Sequence, residues 1–190
     1  MLKVLLWILA SIPSLDLCFL IFFEKLGANP QETLLRHLGT WTLVMLILTY
    51  SLPIIARIGV NKILSCRRML GLWTFFYGSM HFLSFLFFEN EMVLALFIED
   101  LISRPFVTFG FFSFALLIPL ALTSNKFSIK LLGKYWKKIH WLINPIVLMS
   151  IIHYFLHRTG KADFLEPFIA LAIVLVVYVS KKLFTYKNFS

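Results

Sequence analysis

The sequence predicts an all-α fold, a membrane bundle of six transmembrane helices, and three observations support this. Of its 190 residues, 60% are apolar and 14% are charged, whereas soluble domains average about 45–50% and about 25%. Mean hydropathy is +0.88. The apolar residues fall into six stretches, each close to the about 20 residues that a helix needs to cross a bilayer. These figures argue against a disordered chain, a disulfide-stapled secreted domain and a nucleic-acid reader.

The predicted spans, in chain order, are 2–23, 38–56, 69–88, 105–123, 139–156 and 164–180. We expect the first to be a retained helix, because no small-residue cleavage site of a signal peptide follows it. Turn residues at 27–30 and 59–61 separate the first three spans. Pro105 opens the fourth, at a position where the missing N–H of proline costs nothing. The fifth and sixth spans are the shortest, and together the six are expected to form one domain over residues 1–190.

Basic residues predict the orientation of the bundle. The N-terminal segment, the 57–68 and 124–138 connections and the C-terminal tail together hold 13 of the 18 Lys and Arg residues. Because positive charge resists translocation, these segments and both termini are expected in the cytoplasm. The net charge of +9 therefore implies no nucleic-acid partner. The five lysines of 124–138 could attract an anionic flavin or an acidic donor, or only anchor the chain to membrane lipid.

Histidines inside apolar spans are candidates for function, because ionisable groups are costly within a bilayer. His81 in the third span and His153 in the fifth both lie in the half of the helix that faces away from the cytoplasm. Two neutral imidazoles at one depth on different helices suit the two axial faces of a haem iron. We therefore expect His81 and His153 to be the metal ligands and cofactor-binding residues of one haem.

A stripe of small residues leads to His81 along one face of the third span. Its members follow one another at helical steps of four and three: Arg67, Gly71, Thr74, Gly78 and His81. Such a face leaves room for a flat macrocycle. Equally, it lets two helices pack closely, as small residues do in many membrane bundles.

A second haem depends on His140. This residue lies 13 positions before His153, about 20 Å along an ideal helix, and is expected at the cytoplasmic end of the same helix. Its side chain would share a face with His153 only if the helix were distorted, for which Asn144 and Pro145 give a cause. The corresponding position on the third span is Arg67, a poor iron ligand. One haem is therefore expected, and a second is left open.

Three other ionisable groups have open roles. His37 is expected in a solvated connection beside Arg36. His157, one turn after His153, could compete for the iron or bind zinc. Asp16 is expected to be buried in the first span, where it could relay protons, contact a quinone or bond to a neighbouring helix. Cys18 and Cys66 are expected to form no disulfide, because one lies in an apolar span and the other in a basic connection.

Several motifs together resemble the MsrQ (YedZ) family, within the wider ferric reductase-like transmembrane group. They are, in order, 67–73 (RRMLGLW), Tyr77, 81–82 (HF), 104–106 (RPF), Thr108, Gly110, 120–124 (LALTS), 132–136 (LGKYW), His140 and His153. They cover roughly residues 25–160. By position, His81, His140 and His153 match the family's haem-associated histidines. Arg67 stands where ferric reductase relatives place a further histidine.

The resemblance implies a function in repair of oxidised periplasmic proteins. It implies haem b, with a second haem and FMN left open, in a multi-pass protein of the bacterial inner membrane. Electrons would come from the quinone pool or a cytoplasmic flavin reductase and pass to a periplasmic molybdenum-containing methionine sulfoxide reductase, MsrP.

The residues themselves favour the same function. They offer no nucleophile and base pair and no phosphate-binding glycine loop, so we expect a non-catalytic electron-transfer subunit of an oxidoreductase system. Two alternatives remain. One is a ferric reductase-like cytochrome with a different acceptor, and the other is a cofactor-free transporter or scaffold.

Overall fold

The computed structural model describes residues 1–161 and 163–186. Within them the chain forms nine α-helices and two short 3-10 segments, with no strand. The helices are α1 (Leu2–Phe22), α2 (Pro30–Arg57), α3 (Arg67–Phe88), α4 (Leu94–Ser103), α5 (Pro105–Leu122), α6 (Lys126–Leu132), α7 (Lys134–His140), α8 (Ile143–Arg158) and α9 (Leu165–Tyr186). The all-α prediction is therefore confirmed.

Five segments of the described chain are long and apolar enough to cross a membrane. They are Leu2–Phe22, Pro30–Arg57, Asn61–Phe88, Pro105–Leu122 and Lys134–Arg158. Each overlaps one of the first five predicted spans. The sixth predicted span, 164–180, falls within α9, and its crossing of the membrane stays a prediction, as does the cytoplasmic position of the termini.

Two apolar clusters hold the bundle together, and α2 belongs to both. α2 packs most extensively on α3, and α5 on α8. The first cluster joins α1, α2 and α3 around Met45, Leu70 and Tyr77. The second joins α2, α5, α8 and α9 around Leu46, Leu117 and Ile146. Because α2 packs on α3 and also contacts α8 and α9, it helps to fix how the α2–α3 pair faces the α5–α8 pair.

Helix α1 contains Pro13, and side chains of α2 and α3 form hydrogen bonds with the backbone around it. The hydroxyl of Tyr77 accepts a hydrogen bond from the Ser14 N–H (3.1 Å) and donates one to the Ala10 carbonyl (2.7 Å). The Nε2–H of His37 donates to the Pro13 carbonyl (3.0 Å). α1 is thereby tied to the bundle by polar bonds as well as by packing.

The position of His37 corrects the sequence-based expectation. The residue lies inside α2 and is half-buried, rather than in a solvated connection. The reason is that α2 begins at Pro30 and not at residue 38. Asn29 caps the helix by accepting a hydrogen bond from the Glu32 N–H, and Pro30 sets the backbone of its first turn.

Replacing Tyr77 with phenylalanine is expected to lower the free energy of unfolding by about 1–3 kcal/mol, because the Ser14 N–H and the Ala10 carbonyl lose their partner. Tyr77 is fully buried, so water cannot substitute. Thermal unfolding in detergent measures the loss. Tyr135→Phe is the control, since that side chain is 56% exposed. Equal melting temperatures for the two variants would contradict the bridging role.

The fifth predicted span is interrupted, which corrects the expectation that His140 and His153 share one helix. α7 ends at His140, a turn at Trp141 and Leu142 follows, and α8 begins at Ile143. Pro145 therefore lies in the first turn of a new helix, where a missing N–H is tolerated, and does not kink a continuous one.

Two further expectations concern single side chains. Asp16 is exposed on the surface of α1 rather than buried. Cys18 is exposed and Cys66 buried, and both are free thiols, as predicted.

Candidate cofactor site

A cavity of about 560 Å³ lies between α2, α3, α5 and α8. Its volume is within the range of about 300–1,000 Å³ that is typical of small-molecule and cofactor sites. It extends to the end of the bundle where α2 and α5 begin and where α3 and α8 end. We call this end the mouth. His81 and His153 both line the cavity.

The two histidines face each other across this space. Their ring centroids are 6.3 Å apart and their planes differ by 76°. A bond between a metal and an imidazole nitrogen is about 2 Å long, so two imidazoles on opposite sides of one ion hold their centroids roughly 6 Å apart. The observed spacing therefore fits one metal ion held between the rings.

Backbone carbonyls fix the orientation of both rings. His81 Nδ1 lies 3.0 Å from the Leu35 carbonyl oxygen of α2, and His153 Nδ1 lies 2.6 Å from the Phe106 carbonyl oxygen of α5. A carbonyl only accepts, so each Nδ1 carries the proton and donates it. The other nitrogen of each neutral ring, Nε2, is then left with a lone pair for a metal. Metal-binding histidines are commonly oriented in this way.

Two glycines provide the space in which the rings lie against neighbouring helices. A Cβ at Gly110 would come within 2.8 Å of His153 Nδ1, and a Cβ at Gly39 within 3.0 Å of His81 Cε1. Each glycine lies four residues after the residue whose carbonyl accepts the ring proton. The cradle of His81 on α2 and that of His153 on α5 are thus built alike.

The small-residue stripe of α3 serves both purposes considered for it. Thr74, Gly78 and His81 line the cavity. Gly71 instead packs on α2, because a Cβ there would lie 3.7 Å from Thr49 Cγ2. Arg67, the first residue of the stripe, does not line the cavity.

Aromatic rings make one wall of the cavity apolar. Phe82 stacks on Phe114 with centroids 5.0 Å apart, and Phe97 meets Phe111 edge-on at 5.4 Å. All four line the cavity. Such a wall lowers the local dielectric constant and keeps water from whatever the histidines bind.

His140 is not part of this site. Its Nε2 bonds to the Thr123 hydroxyl at 3.1 Å, and its ring stacks on Trp136 with centroids 4.0 Å apart. Both Nε2 and one face of the ring are engaged. This arrangement does not fit a second haem held by His140.

His157 does line the cavity, closer to the mouth than His153. Its ring lies 6.4 Å from that of His153 and 5.8 Å from that of Phe106. A zinc site there has no support, since the described residues contain no cluster of three or more His, Cys, Asp or Glu side chains suited to a metal.

The residues around the cavity fit a haem. The two imidazole rings lie at the spacing that a single ion requires, the volume suits a cofactor, and both rings are held through Nδ1, which leaves Nε2 for a metal. The structure brings together the two histidines that sequence reasoning singled out. Sequence reasoning missed Leu35 and Gly39, and it named Phe106 and Gly110 only as motif residues without a role, because which residue faces a ring depends on the register between helices.

Comparisons with known proteins point the same way. Residues 38–151 match the family described as "Ferric reductase like transmembrane component". The chain is 41% identical to the "Protein-methionine-sulfoxide reductase heme-binding subunit MsrQ" of Ralstonia nicotianae, over 92% of this chain and 82% of that protein. The proteins of that name from Herminiimonas arsenicoxydans and Bordetella pertussis are 40% and 37% identical, over 93% and 87% of this chain and 82% and 81% of their own. No solved structure matches it.

Proposed function

Because the chain belongs to the ferric reductase-like transmembrane family and, within it, to the MsrQ subunits, we propose that it binds one haem b and carries electrons across the bacterial inner membrane. The geometry of His81 and His153 carries the proposal: two oriented imidazoles from separate helices, 6.3 Å apart, line one cavity. The names of the relatives support haem as the ligand.

The residues of the site have distinct tasks. When bound, haem supplies a one-electron redox centre. His81 and His153 would both hold its iron, and two protein ligands would favour electron transfer over bond-making chemistry. The carbonyls of Leu35 and Phe106 keep each imidazole in the tautomer that binds metal. The phenylalanine wall keeps water away.

We propose a single haem for the chain. His140 is engaged with Thr123 and Trp136 and lies outside the cavity. Arg67, which would have to be its partner, remains protonated and is a poor ligand.

A haem titration tests this number. The purified protein is expected to contain one haem per chain by the pyridine haemochrome assay, and His140→Gln is expected to contain as much. Two haems per chain, falling to one in His140→Gln, would show that His140 is a ligand after a rearrangement of α7.

The flanking charges suggest the direction of transfer. The connections at the mouth, including α4, contain six of the nine carboxylates, and Glu32 and Glu166 lie in the first turns of α2 and α9. α6 and α7, at the other end, contain five lysines. Under the positive-inside rule the mouth faces the periplasm and the lysines face the cytoplasm. The acceptor is then a periplasmic molybdenum-containing methionine sulfoxide reductase of the MsrP type.

The donor is the quinone pool or a cytoplasmic flavin reductase, with FMN at the lysine-rich end as an intermediate carrier. Proteoliposomes containing the full chain distinguish the two donors. Haem reduction, followed by its visible spectrum, is measured with ubiquinol and, separately, with NADH and a flavin reductase. Addition of the molybdenum reductase with a methionine sulfoxide substrate should then reoxidise the haem. If neither donor reduces it, or the partner leaves it reduced, electron transfer to that partner is wrong.

The family match also favours a second candidate, a cytochrome that reduces ferric iron. The same proteoliposomes separate the two functions. Faster reoxidation by ferric chelates than by the molybdenum reductase would support the second candidate.

A further inference from the structure

Three arginines from different parts of the bundle meet at the mouth of the cavity. Arg36 belongs to α2, Arg104 immediately precedes α5, and Arg158 ends α8. All three line the cavity, whereas the chain's other arginines, Arg57, Arg67 and Arg68, do not. Cations on the proposed periplasmic side oppose the positive-inside rule. Their position at one rim therefore needs an explanation other than topology.

Arg158 is already fully engaged. Its side chain is 8% exposed and donates to Asp163, Glu166 and the Tyr154 hydroxyl. Asp163 lies before α9 and Glu166 lies in its first turn. These bonds join α8 to α9 at the rim, so we assign Arg158 a structural task.

Arg36 and Arg104 differ from Arg158 in exposure and in contacts. Their side chains are 46% and 47% exposed. The terminal nitrogen NH1 of Arg36 lies 3.9 Å from Glu32, and that of Arg104 lies 3.9 Å from Glu89. These distances exceed that of a hydrogen bond. Both guanidinium groups can therefore donate hydrogen bonds to a better-placed carboxylate.

The side chain of Arg104 is also held in place by a neighbouring carboxylate. Its Nε lies 3.1 Å from Asp100 Oδ1, which leaves the two terminal nitrogens for another partner. Asp100 in turn accepts a hydrogen bond from the Asn90 amide at 2.9 Å, and Asn90 is 1% exposed. A buried amide thus orients the carboxylate that orients the guanidinium. An arginine presented in this way suits bidentate binding of a carboxylate.

From this geometry we infer that Arg36 and Arg104 bind the two propionate carboxylates of the haem, an inference that rests on the proposed function. Arg36 lies three residues before Gly39, and Arg104 six before Gly110, which is about 5 Å and about 9 Å along a helix. Both arginines are therefore displaced from the histidine cradles toward the mouth. A porphyrin between His81 and His153 has its charged edge at the rim and its apolar edges against the phenylalanines.

The carboxylates that face the two arginines do not occupy the terminal nitrogens that a ligand would need. Glu32, Glu89 and Asp100 are the acidic side chains in contact with them. Of these, only Asp100 is within hydrogen-bond distance, and it uses Nε. The rim therefore presents two terminal guanidinium edges at one end of an apolar cavity, which matches a molecule with two carboxylates on an apolar disc.

Haem b and its dimethyl ester are the probes for this inference. The two share the porphyrin and the iron, and they differ at the propionates, which are charged carboxylates in haem b and neutral methyl esters in the other. The full-length protein, freed of haem in detergent, is titrated with each compound, and the Soret band of the bis-histidine complex reports binding. Wild type is expected to prefer haem b. Arg36→Gln and Arg104→Gln are each expected to lower the affinity for haem b about tenfold, as loss of a charged hydrogen bond does, and to leave the affinity for the ester unchanged.

Controls separate this inference from simpler causes. Arg68→Gln, an exposed arginine at the other end of α3, should keep the full preference. Arg104→Lys should keep part of it, because the charge remains but the bidentate edge is lost. The midpoint potential of the haem should fall in both Gln variants, since a nearby cation favours the reduced form.

Two results would overturn the inference while leaving the proposed function intact. Wild type would bind the ester as tightly as haem b, or the Gln variants would weaken both compounds equally. If neither compound gave a bis-histidine spectrum with wild type, the proposed function itself would fail.

Discussion

His81→Ala and His153→Ala are each expected to abolish the low-spin haem spectrum of the purified protein. Each substitution removes one of the two nitrogens that we propose bind the iron. Of the other described histidines, His37 bonds to the Pro13 carbonyl of α1 and His140 bonds to Thr123, both outside the cavity. His157 lines the cavity, one turn beyond His153. Haem occupancy should fall at least about tenfold, because loss of a residue that only supports a metal ligand already lowers metal affinity by about that factor. The Soret band and the haem-to-protein ratio measure it.

Imidazole added to these variants distinguishes a lost ligand from a lost fold. The substitution leaves a space the size of the ring, so free imidazole should restore the low-spin spectrum. His37→Ala is the matched control, because its ring lies outside the cavity, and it should keep its haem. A His153→Ala protein that retained one low-spin haem without added imidazole would contradict the assignment, with His157 as the replacement ligand to test next.

The two histidines could be predicted from sequence because their signal is local. An ionisable residue in an apolar span is unexpected, and the number of residues from the span's end gives its depth. The partner carbonyls of Leu35 and Phe106 carry no such signal, since every residue has a carbonyl. Their role depends on the register of α2 against α3 and of α5 against α8.

Helix boundaries account for the expectations that were wrong. Hydropathy places the start of the second span at residue 38, where the apolar run begins, but a helix can continue through polar residues when a cap and a proline support it. α2 therefore includes His37. The same reasoning treats 139–156 as one helix, because the apolar run continues through the turn at Trp141 and Leu142 that separates α7 from α8.

The cradles of His81 and His153 also show a likeness between the two helix pairs that the sequence does not reveal. In each pair, one helix provides a carbonyl and, four residues later, a glycine, and the other helix provides the histidine. Gly39 of α2 and Gly110 of α5 are the corresponding glycines of the two pairs. The likeness lies in spacing and contact, and the surrounding residues differ, so comparing the two halves residue by residue finds no repeat.

Gly110→Ala is expected to lower the affinity for haem about 10–100-fold, the usual effect of disturbing a group that orients a metal ligand. The added Cβ would come within 2.8 Å of His153 Nδ1. The ring cannot move aside freely, because the same nitrogen is bonded to the Phe106 carbonyl at 2.6 Å. Either that bond breaks or α5 shifts away from α8. In both cases the orientation of His153 Nε2 changes.

Two matched substitutions make this a graded test. Gly39→Ala brings its Cβ within 3.0 Å of His81 Cε1 and 3.3 Å of its Nδ1, so a smaller loss is expected. Gly71→Ala meets only Thr49 Cγ2 at 3.7 Å, an ordinary contact, and should retain full affinity. Because alanine in a helix interior is favoured over glycine by about 1 kcal/mol, Gly71→Ala should also raise the melting temperature of the haem-free protein. Equal affinities for all three variants would mean that the cradles do not orient the histidines, and that packing against α2 and α5 alone determines where the rings lie.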